Sequence, residues 1–157
     1  MVRIAVCDDS ATELRAISSL ADEYLSSRGV AGTVRSFDHP DALLCQSESE
    51  GFHIYLLDMV MPMLSGLELG RAIRRQSADA QIIFITTEPG FALDAYAVNP
   101  LHYLLKPVQS ARLQKTVKKL RLALIQQAQA AINSIANSEP QAPTHTQELE
   151  TNLQRTV

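Results

Sequence analysis

Ile54-Tyr55-Leu56-Leu57-Asp58 is a run of large apolar residues that stops abruptly on a carboxylate. A run this short, apolar at every position, reads as a strand buried on both faces, the pattern of a parallel sheet covered by helices on each side. The same grammar recurs in both directions. Upstream, Val2 to Cys7 runs into Asp8-Asp9, and Thr33 to Phe37 is a second candidate strand. Downstream, Gln81 to Ile85 runs into Thr86, and His102 to Leu105 runs into Lys106. With His53 to Leu57 these make five strands, each separated from the next by a stretch of helical period, which argues for βαβ units around a parallel sheet.

The intervening stretches support this. Leu14, Ile17, Leu20, Ala21, Tyr24 and Leu25 recur at spacings of three and four, giving one apolar stripe on a first helix that Gly29 ends. A second helix is expected from about Asp41, and a third from Ser65 through Leu67, Leu69, Ala72 and Ile73, with Ser65 as its N-cap. A fourth, Phe91 to Val98, is closed by Asn99-Pro100, because the residue before a proline disfavours helix. A fifth starts near Ser110 and carries Leu113, Val117, Leu120 and Leu124. Ile125, Ala128, Ile132 and Ile135 form a second, rotated stripe, read as an extension of that helix or as a dimerising helix. From Ser138 on, Pro140, Pro143 and a run of Gln, Thr and Glu read as a flexible linker. The expected organisation is therefore a domain over residues 1–124, a helical extension over 125–137 and a tail over 138–157.

The whole chain has 157 residues, enough for one buried core and short for two. Its 14 Lys and Arg against 17 Asp and Glu leave no basic field of the kind that drives sequence-independent nucleic-acid binding. Two cysteines, Cys7 and Cys45, do not make a zinc or disulfide framework and fit a reducing compartment. The apolar run at the N-terminus is too short for a signal peptide or a membrane span, so the cytoplasm is the expected location.

In a parallel sheet, residues that follow the strands share one edge, and ligands of open α/β sheets bind there. Asp8, Asp9 and Asp58 would crowd that edge and repel one another unless a cation neutralises them. A hard divalent ion with oxygen ligands, Mg²⁺ above all, suits three carboxylates with no nearby His or Cys. Thr86 and Lys106 follow the fourth and fifth strands, and a hydroxyl and an ammonium beside a carboxylate make a cradle for a tetrahedral dianion. The chemistry expected is attack by the already ionised Asp58 carboxylate on an in-line phosphorus, giving an acyl phosphate. Taken singly, each residue is ordinary: an Asp pair or a Thr after a strand is usually a turn, and Lys-Pro a loop start. Their joint placement after four of five strands carries the reading. His39, His53, His102 and His145 are scattered and read as structural or solvated, Met59, Met61 and Met63 as loop packing, and Cys7 as a buried apolar residue.

Four motifs in order, Val6-Cys7-Asp8-Asp9, Leu57-Asp58-Met59-Val60-Met61-Pro62 with Gly66, Phe84-Ile85-Thr86-Thr87, and Tyr103-Leu104-Leu105-Lys106-Pro107, resemble the receiver domain of two-component response regulators over about residues 1–124. The resemblance implies a doubly wound five-stranded parallel sheet of order 2-1-3-4-5. It implies Asp58 as phosphoacceptor; Asp9, Asp58 and the Val60 backbone carbonyl as Mg²⁺ ligands, with Asp8 acting largely through water; Thr86 and Lys106 as contacts to the phosphoryl oxygens; and Tyr103 as the aromatic switch. The partner implied is a histidine kinase, and the protein would be a signalling switch rather than a metabolic enzyme. Thr87 stands where Ala or Gly is usual, which bears on access to the site, and Val60 and Glu88 occupy positions that tune water access to the acyl phosphate.

Residues 91–107 resemble more narrowly the receivers that precede LytTR-type DNA-binding domains. On that reading DNA is contacted only through an output domain not present in this stretch of chain, and a homodimer would form through the fourth helix, fifth strand and fifth helix. A stand-alone receiver or a phosphate-independent pseudo-receiver is the alternative. An aspartyl-phosphate phosphatase of related topology would want a second Asp two residues after the nucleophile, where Val60 stands. A flavin carrier would want a Ser/Thr/Gly-rich turn where Asp8-Asp9-Ser10 stands.

Overall fold

The computed structural model describes residues 1–108, 115–116, 118–119, 129 and 132–137. The elements run β1 (Val2–Cys7), α1 (Ala11–Ser27), β2 (Gly32–Phe37), α2 (Pro40–Ser49), β3 (Ile54–Leu57), α3 (Gly66–Gln76), β4 (Gln81–Thr86), a 3₁₀ turn (Pro89–Phe91), α4 (Ala92–Ala95), a second 3₁₀ turn (Tyr96–Val98) and β5 (His102–Leu105). The five strands form one parallel sheet in the order β2-β1-β3-β4-β5, as the resemblance implied. The chain divides into two units, residues 1–120 and 121–157; in the second, residues 132–137 are helical, with Ile132 and Ile135 exposed. The fifth helix read from Leu113, Val117, Leu120 and Leu124, and most of the extension and tail, fall outside the described residues.

The period of two along each strand sorts the core into two layers. Ala5, Cys7, Tyr55, Leu57, Ile82 and Phe84 pack on one face with Leu43 of α2 and Leu69 and Ile73 of α3. Ile4, Val6, Leu56, Ile83 and Ile85 alternate with them and are buried as well, and α1, whose buried stripe is Ile17, Ala21, Tyr24 and Leu25, lies against β1 and β2. Helices on both faces explain why β3 and β4 are apolar almost throughout rather than alternating.

Local chemistry sets the helix ends. Gly29 adopts φ 61° just beyond α1, where a side chain would be strained. Ser65 caps α3 in a complete capping box: its hydroxyl accepts from the Glu68 N–H at 3.2 Å, and the Glu68 carboxylate accepts from the Ser65 N–H at 3.0 Å. His39, read from sequence only as structural or solvated, is the N-cap of α2, its Nδ1 accepting from the Asp41 N–H at 3.2 Å.

One sequence expectation needs correction. The fourth helix is not a continuous α-helix over Phe91 to Val98; only Ala92–Ala95 is α-helical, between two 3₁₀ turns. Pro89 and Gly90 open the segment, the Glu88 carboxylate takes the Gly90 N–H at 3.1 Å, and Asn99 ends it in the left-handed region at φ 48°. Phe91 to Val98, between these two stops, is about two turns, and a segment that short gains little from helix propagation.

At the opposite end of the sheet from Asp58, the Arg3 N–H donates to His53 Nδ1 at 3.0 Å. Burial, then the Arg3 charge, then the N-terminal ammonium all hold the His53 pKa below its usual 6.5. A group whose folded pKa is depressed contributes stability that is present above its unfolded pKa and lost as pH falls below it. The protein should therefore lose melting temperature between pH 7.5 and 5.5 more steeply than His53→Asn, whose amide oxygen supplies the same acceptor without a proton to gain; identical slopes in a pH series of thermal melts would contradict this.

Candidate functional site

Three carboxylates reach the carboxyl edge of the sheet because β1 and β3 are neighbours and stop in register, Cys7 opposite Leu57. The ladder carries on one step beyond the strands. The Asp8 N–H donates to the Phe37 carbonyl at 3.1 Å, the Asp58 N–H to Cys7 at 3.0 Å, and the Lys106 N–H to Thr86 at 2.8 Å. The acidic and basic residues are thus held by the backbone of the sheet rather than by loops. Carboxylate oxygens of Asp8, Asp9 and Asp58 lie within 4.8 Å of one another. Asp8 and Asp58 are buried and Asp9 is exposed, so the cluster opens to solvent on one side.

Lys106 enters from the far edge. Its Nζ is 2.7 Å from Asp8, 3.8 Å from Asp58 and 4.0 Å from Glu13, and its side chain is only 8% exposed. One ammonium against three clustered carboxylates leaves excess negative charge. Burial, and next the Asp8 charge, push the Asp58 pKa up; Lys106, a hydrogen bond from Thr86 and the Met59 N–H at 2.8 Å pull the other way. Burial alone would lower the pKa of Lys106, but the bond to Asp8 and the Asp58 and Glu13 charges leave it raised and the ammonium firmly protonated. Cys7, beneath the cluster, has its thiol pushed up to about 12 by burial and then by the Asp8 and Asp58 charges. Its Sγ lies 3.8 Å from Met61 Sδ, so it is packing rather than a nucleophile, as the sequence suggested.

Two further residues meet at the backbone of Glu88. Thr86 is fully buried, and its hydroxyl accepts from the Glu88 N–H at 3.3 Å. The half-buried Tyr103 ring lies 6.1 Å from Phe84 and donates its hydroxyl to the Glu88 carbonyl. Glu88 therefore links Thr86 to Tyr103 through its backbone, a role no side-chain pattern could announce. Val60 follows in the loop after β3 with its side chain 56% exposed. The structure brings Asp8, Asp9, Asp58, Thr86 and Lys106 together at one edge and places Tyr103 one residue contact away.

Sequence reasoning did not single out Glu13. A signal was there: Ser10-Ala11-Thr12-Glu13 is a capping-box pattern that repeats the Ser65 to Glu68 spacing.

The response regulator receiver domain model matches residues 4–118. Among curated proteins, the chain is 33% identical over 136 residues to an uncharacterized response regulatory protein of Shewanella oneidensis, covering 87% of this chain and 54% of that one. It is 27% identical to the transcriptional regulatory protein NatR of Bacillus subtilis, covering 72% and 47%. It is 41% identical over 66 residues to the positive alginate biosynthesis regulatory protein of Pseudomonas aeruginosa, covering 42% and 27%. These alignments span from about a quarter to about half of the relatives' lengths. Among solved structures, a response regulator receiver protein from Pseudomonas putida superposes with a TM-score of 0.61 at 30% identity, covering 75% of this chain and 96% of that one. The response regulatory domain of protein mrkE from Klebsiella pneumoniae reaches a TM-score of 0.71 at 24% identity, covering 80% and 99%.

Proposed function

Since the chain belongs to the response regulator receiver domain family, we propose that it is a two-component switch in which Asp58 takes a phosphoryl group from a histidine kinase and passes the change to an output. The observation that supports this most is the buried Asp58 carboxylate, 3.8 Å from Lys106, bonded by Thr86 and flanked by Asp8 and Asp9. An Asp58 oxygen attacks phosphorus, the bond from phosphorus to the donor's leaving group breaks, and the leaving group keeps the electron pair. No general base is required, because the attacking carboxylate is the ionised form.

Lys106 pairs with a transferred phosphoryl oxygen, and Thr86 donates its hydroxyl to another. If the Thr86 hydroxyl turns to the phosphate, the Glu88 N–H loses that partner, and the Tyr103 bond to the carbonyl of the same residue would be disturbed with it. This is the two-state element that would carry the signal outward. The donor set suits Mg²⁺: all-oxygen, with excess negative charge. Asp9, Asp58 and the Val60 carbonyl would hold the ion directly and Asp8 through water; bound there, it would neutralise the carboxylates and draw charge from the phosphoryl oxygens. The protein would be a switch that catalyses its own phosphorylation and slow dephosphorylation, not a metabolic enzyme.

Two curated relatives are named as regulators, NatR of transcription and the Pseudomonas aeruginosa protein of alginate biosynthesis. That supports control of transcription as the output; the narrower resemblance of residues 91–107 is what suggests a LytTR-type DNA-binding domain as the route, with a homodimer through α4, β5 and the fifth helix. Among the described residues no helix is long and apolar enough to cross a membrane.

Intact-mass spectrometry after incubation with Mg²⁺ and a small phosphodonor tests the central claim. Wild type should gain one adduct of about 80 Da, and Asp58→Asn none. An adduct that survives in Asp58→Asn, or none on wild type with any donor, would remove the phosphoacceptor and leave a phosphate-independent interaction module.

A further inference from the structure

Two helices of this protein begin with the same Ser-x-x-Glu pattern, and they use it differently. In α3 the box closes, because the Glu68 carboxylate returns to the Ser65 N–H. At α1 the Ser10 hydroxyl accepts from the Glu13 N–H at 3.4 Å, but the Ser10 N–H is already taken by Asp8 Oδ1 at 2.9 Å. The Glu13 carboxylate has lost its capping partner and instead faces Lys106 Nζ at 4.0 Å. Its side chain is 44% exposed, whereas those of Asp8 and Asp58, the other carboxylates beside that ammonium, are 1% and 8% exposed. Nor does Glu13 belong to the oxygen cluster of Asp8, Asp9 and Asp58, so it is not needed to hold a cation.

We propose that Glu13 is a specificity-determining residue of the phosphorylation site: a fixed negative charge at its rim, beside the ammonium, that discriminates against doubly charged phosphodonors. The inference rests on the reading of Asp58 as phosphoacceptor. A donor must bring its phosphoryl oxygens to Lys106, and to do so it displaces the attraction between Lys106 and Glu13 while approaching the Glu13 charge. The penalty grows with the charge on the donor and is screened by salt. A donor delivered by a protein surface can offset it with contacts elsewhere, so the same residue favours a cognate kinase over free metabolite-like phosphates.

The test compares wild type with Glu13→Gln, which keeps shape and removes charge, in adduct-formation kinetics with Mg²⁺. Acetyl phosphate serves as the doubly charged donor and phosphoramidate as the singly charged one. Glu13→Gln should speed reaction with acetyl phosphate about two- to fivefold, the range of a partly exposed charge pair, and reaction with phosphoramidate by less. The difference should shrink as ionic strength rises. A rearranged helix start would instead change both donors equally, and Ser10→Ala, which removes the α1 cap without touching the charge, identifies that pattern. Equal effects on both donors, or none, overturn the proposal while leaving Asp58 in place. No adduct on wild type or variant with either donor overturns it together with the phosphoacceptor reading. Thermal melts of both variants confirm that folded proteins are being compared.

Discussion

Gly66→Ala should leave little folded protein. A Cβ at position 66 would lie 2.0 Å from the Asp58 carbonyl oxygen and 2.7 Å from the Met59 Cα, and both obstacles are backbone that cannot rotate away. The approach is required: the Gly66 N–H donates to the Met59 carbonyl at 2.8 Å, folding the loop after β3 back so that α3 starts directly behind Asp58. Overpacking a site that can yield usually costs about 1–3 kcal/mol, and here nothing yields, so the loss should exceed about 3 kcal/mol of a domain stability on the order of 5–15 kcal/mol. Urea denaturation of Gly66→Ala beside Gly51→Ala, where the nearest atom is 4.0 Å away, measures it. Equal midpoints for the two would show that the loop can open at no cost. Any Gly66→Ala that does fold should also react more slowly at Asp58, because the displaced atoms are those of Asp58 itself.

Arg74→Ala should be the next most damaging change, by about 3–5 kcal/mol for a part-buried charged group bonded to several carbonyls. The Arg74 guanidinium donates through Nε to the Val98 carbonyl at 2.7 Å, through Nη1 to Ala78 at 3.0 Å and to Ala80, and through Nη2 to Asn99 at 3.0 Å. One side chain therefore ties the end of α3 to the start of β4 and to the left-handed turn that precedes β5. Burial pushes its pKa down, with the Asp79 charge opposing; the guanidinium stays protonated, and the cost of burying it is offset by the carbonyls that take its donors. Arg74→Lys should recover little, since an ammonium has neither the reach nor the planar fork to meet four acceptors. Full recovery by lysine in the same denaturation assay would mean that charge alone matters. If the segment from Pro89 to Val98 is anchored here at its far end, Arg74→Ala should also blur the coupling between Thr86 and Tyr103.

The sheet was legible because β1, β3 and β4 are hydrophobic at most positions and four of the five strands are followed by a residue of distinct chemistry. A buried parallel strand leaves no polar alternative face to confuse its reading, which is why Ile54 to Leu57 and Ile82 to Ile85 stood out. Asp8, Asp9, Asp58, Thr86 and Lys106 were legible for a topological reason: in a parallel sheet, the residue after each strand must arrive at one edge. What escaped were interactions that end on backbone atoms. The Arg74 fork, the Glu88 backbone shared by Thr86 and Tyr103, and the His39 cap all involve main-chain groups, so no side-chain pattern marks them. The stop at Asn99 was legible, but the break within the fourth helix escaped because Ala92 to Val98 has helical composition, while Pro89-Gly90 and the Arg74 bonds to the Val98 and Asn99 carbonyls act through local geometry. Glu13 escaped for a subtler cause: its motif was visible, but which partner its carboxylate takes depends on whether Asp8 has already claimed the Ser10 N–H.

The order β2-β1-β3-β4-β5 has a consequence for how the chain comes into being. β1 is the first of the five strands to leave the ribosome, yet it lies inside the sheet, and its two partners span residues 32–37 and 54–57. Until residue 57 has emerged, β1 has at least one open hydrogen-bonding edge beside a run of apolar side chains, the kind of surface that pairs with strangers. Parallel pairing cannot shorten the wait, since each partner lies a whole crossover away. The nascent sheet is therefore most in need of shielding before Asp58 has been made, and the arrival of the residue proposed to carry the signal coincides with the closing of the strand that began the sheet.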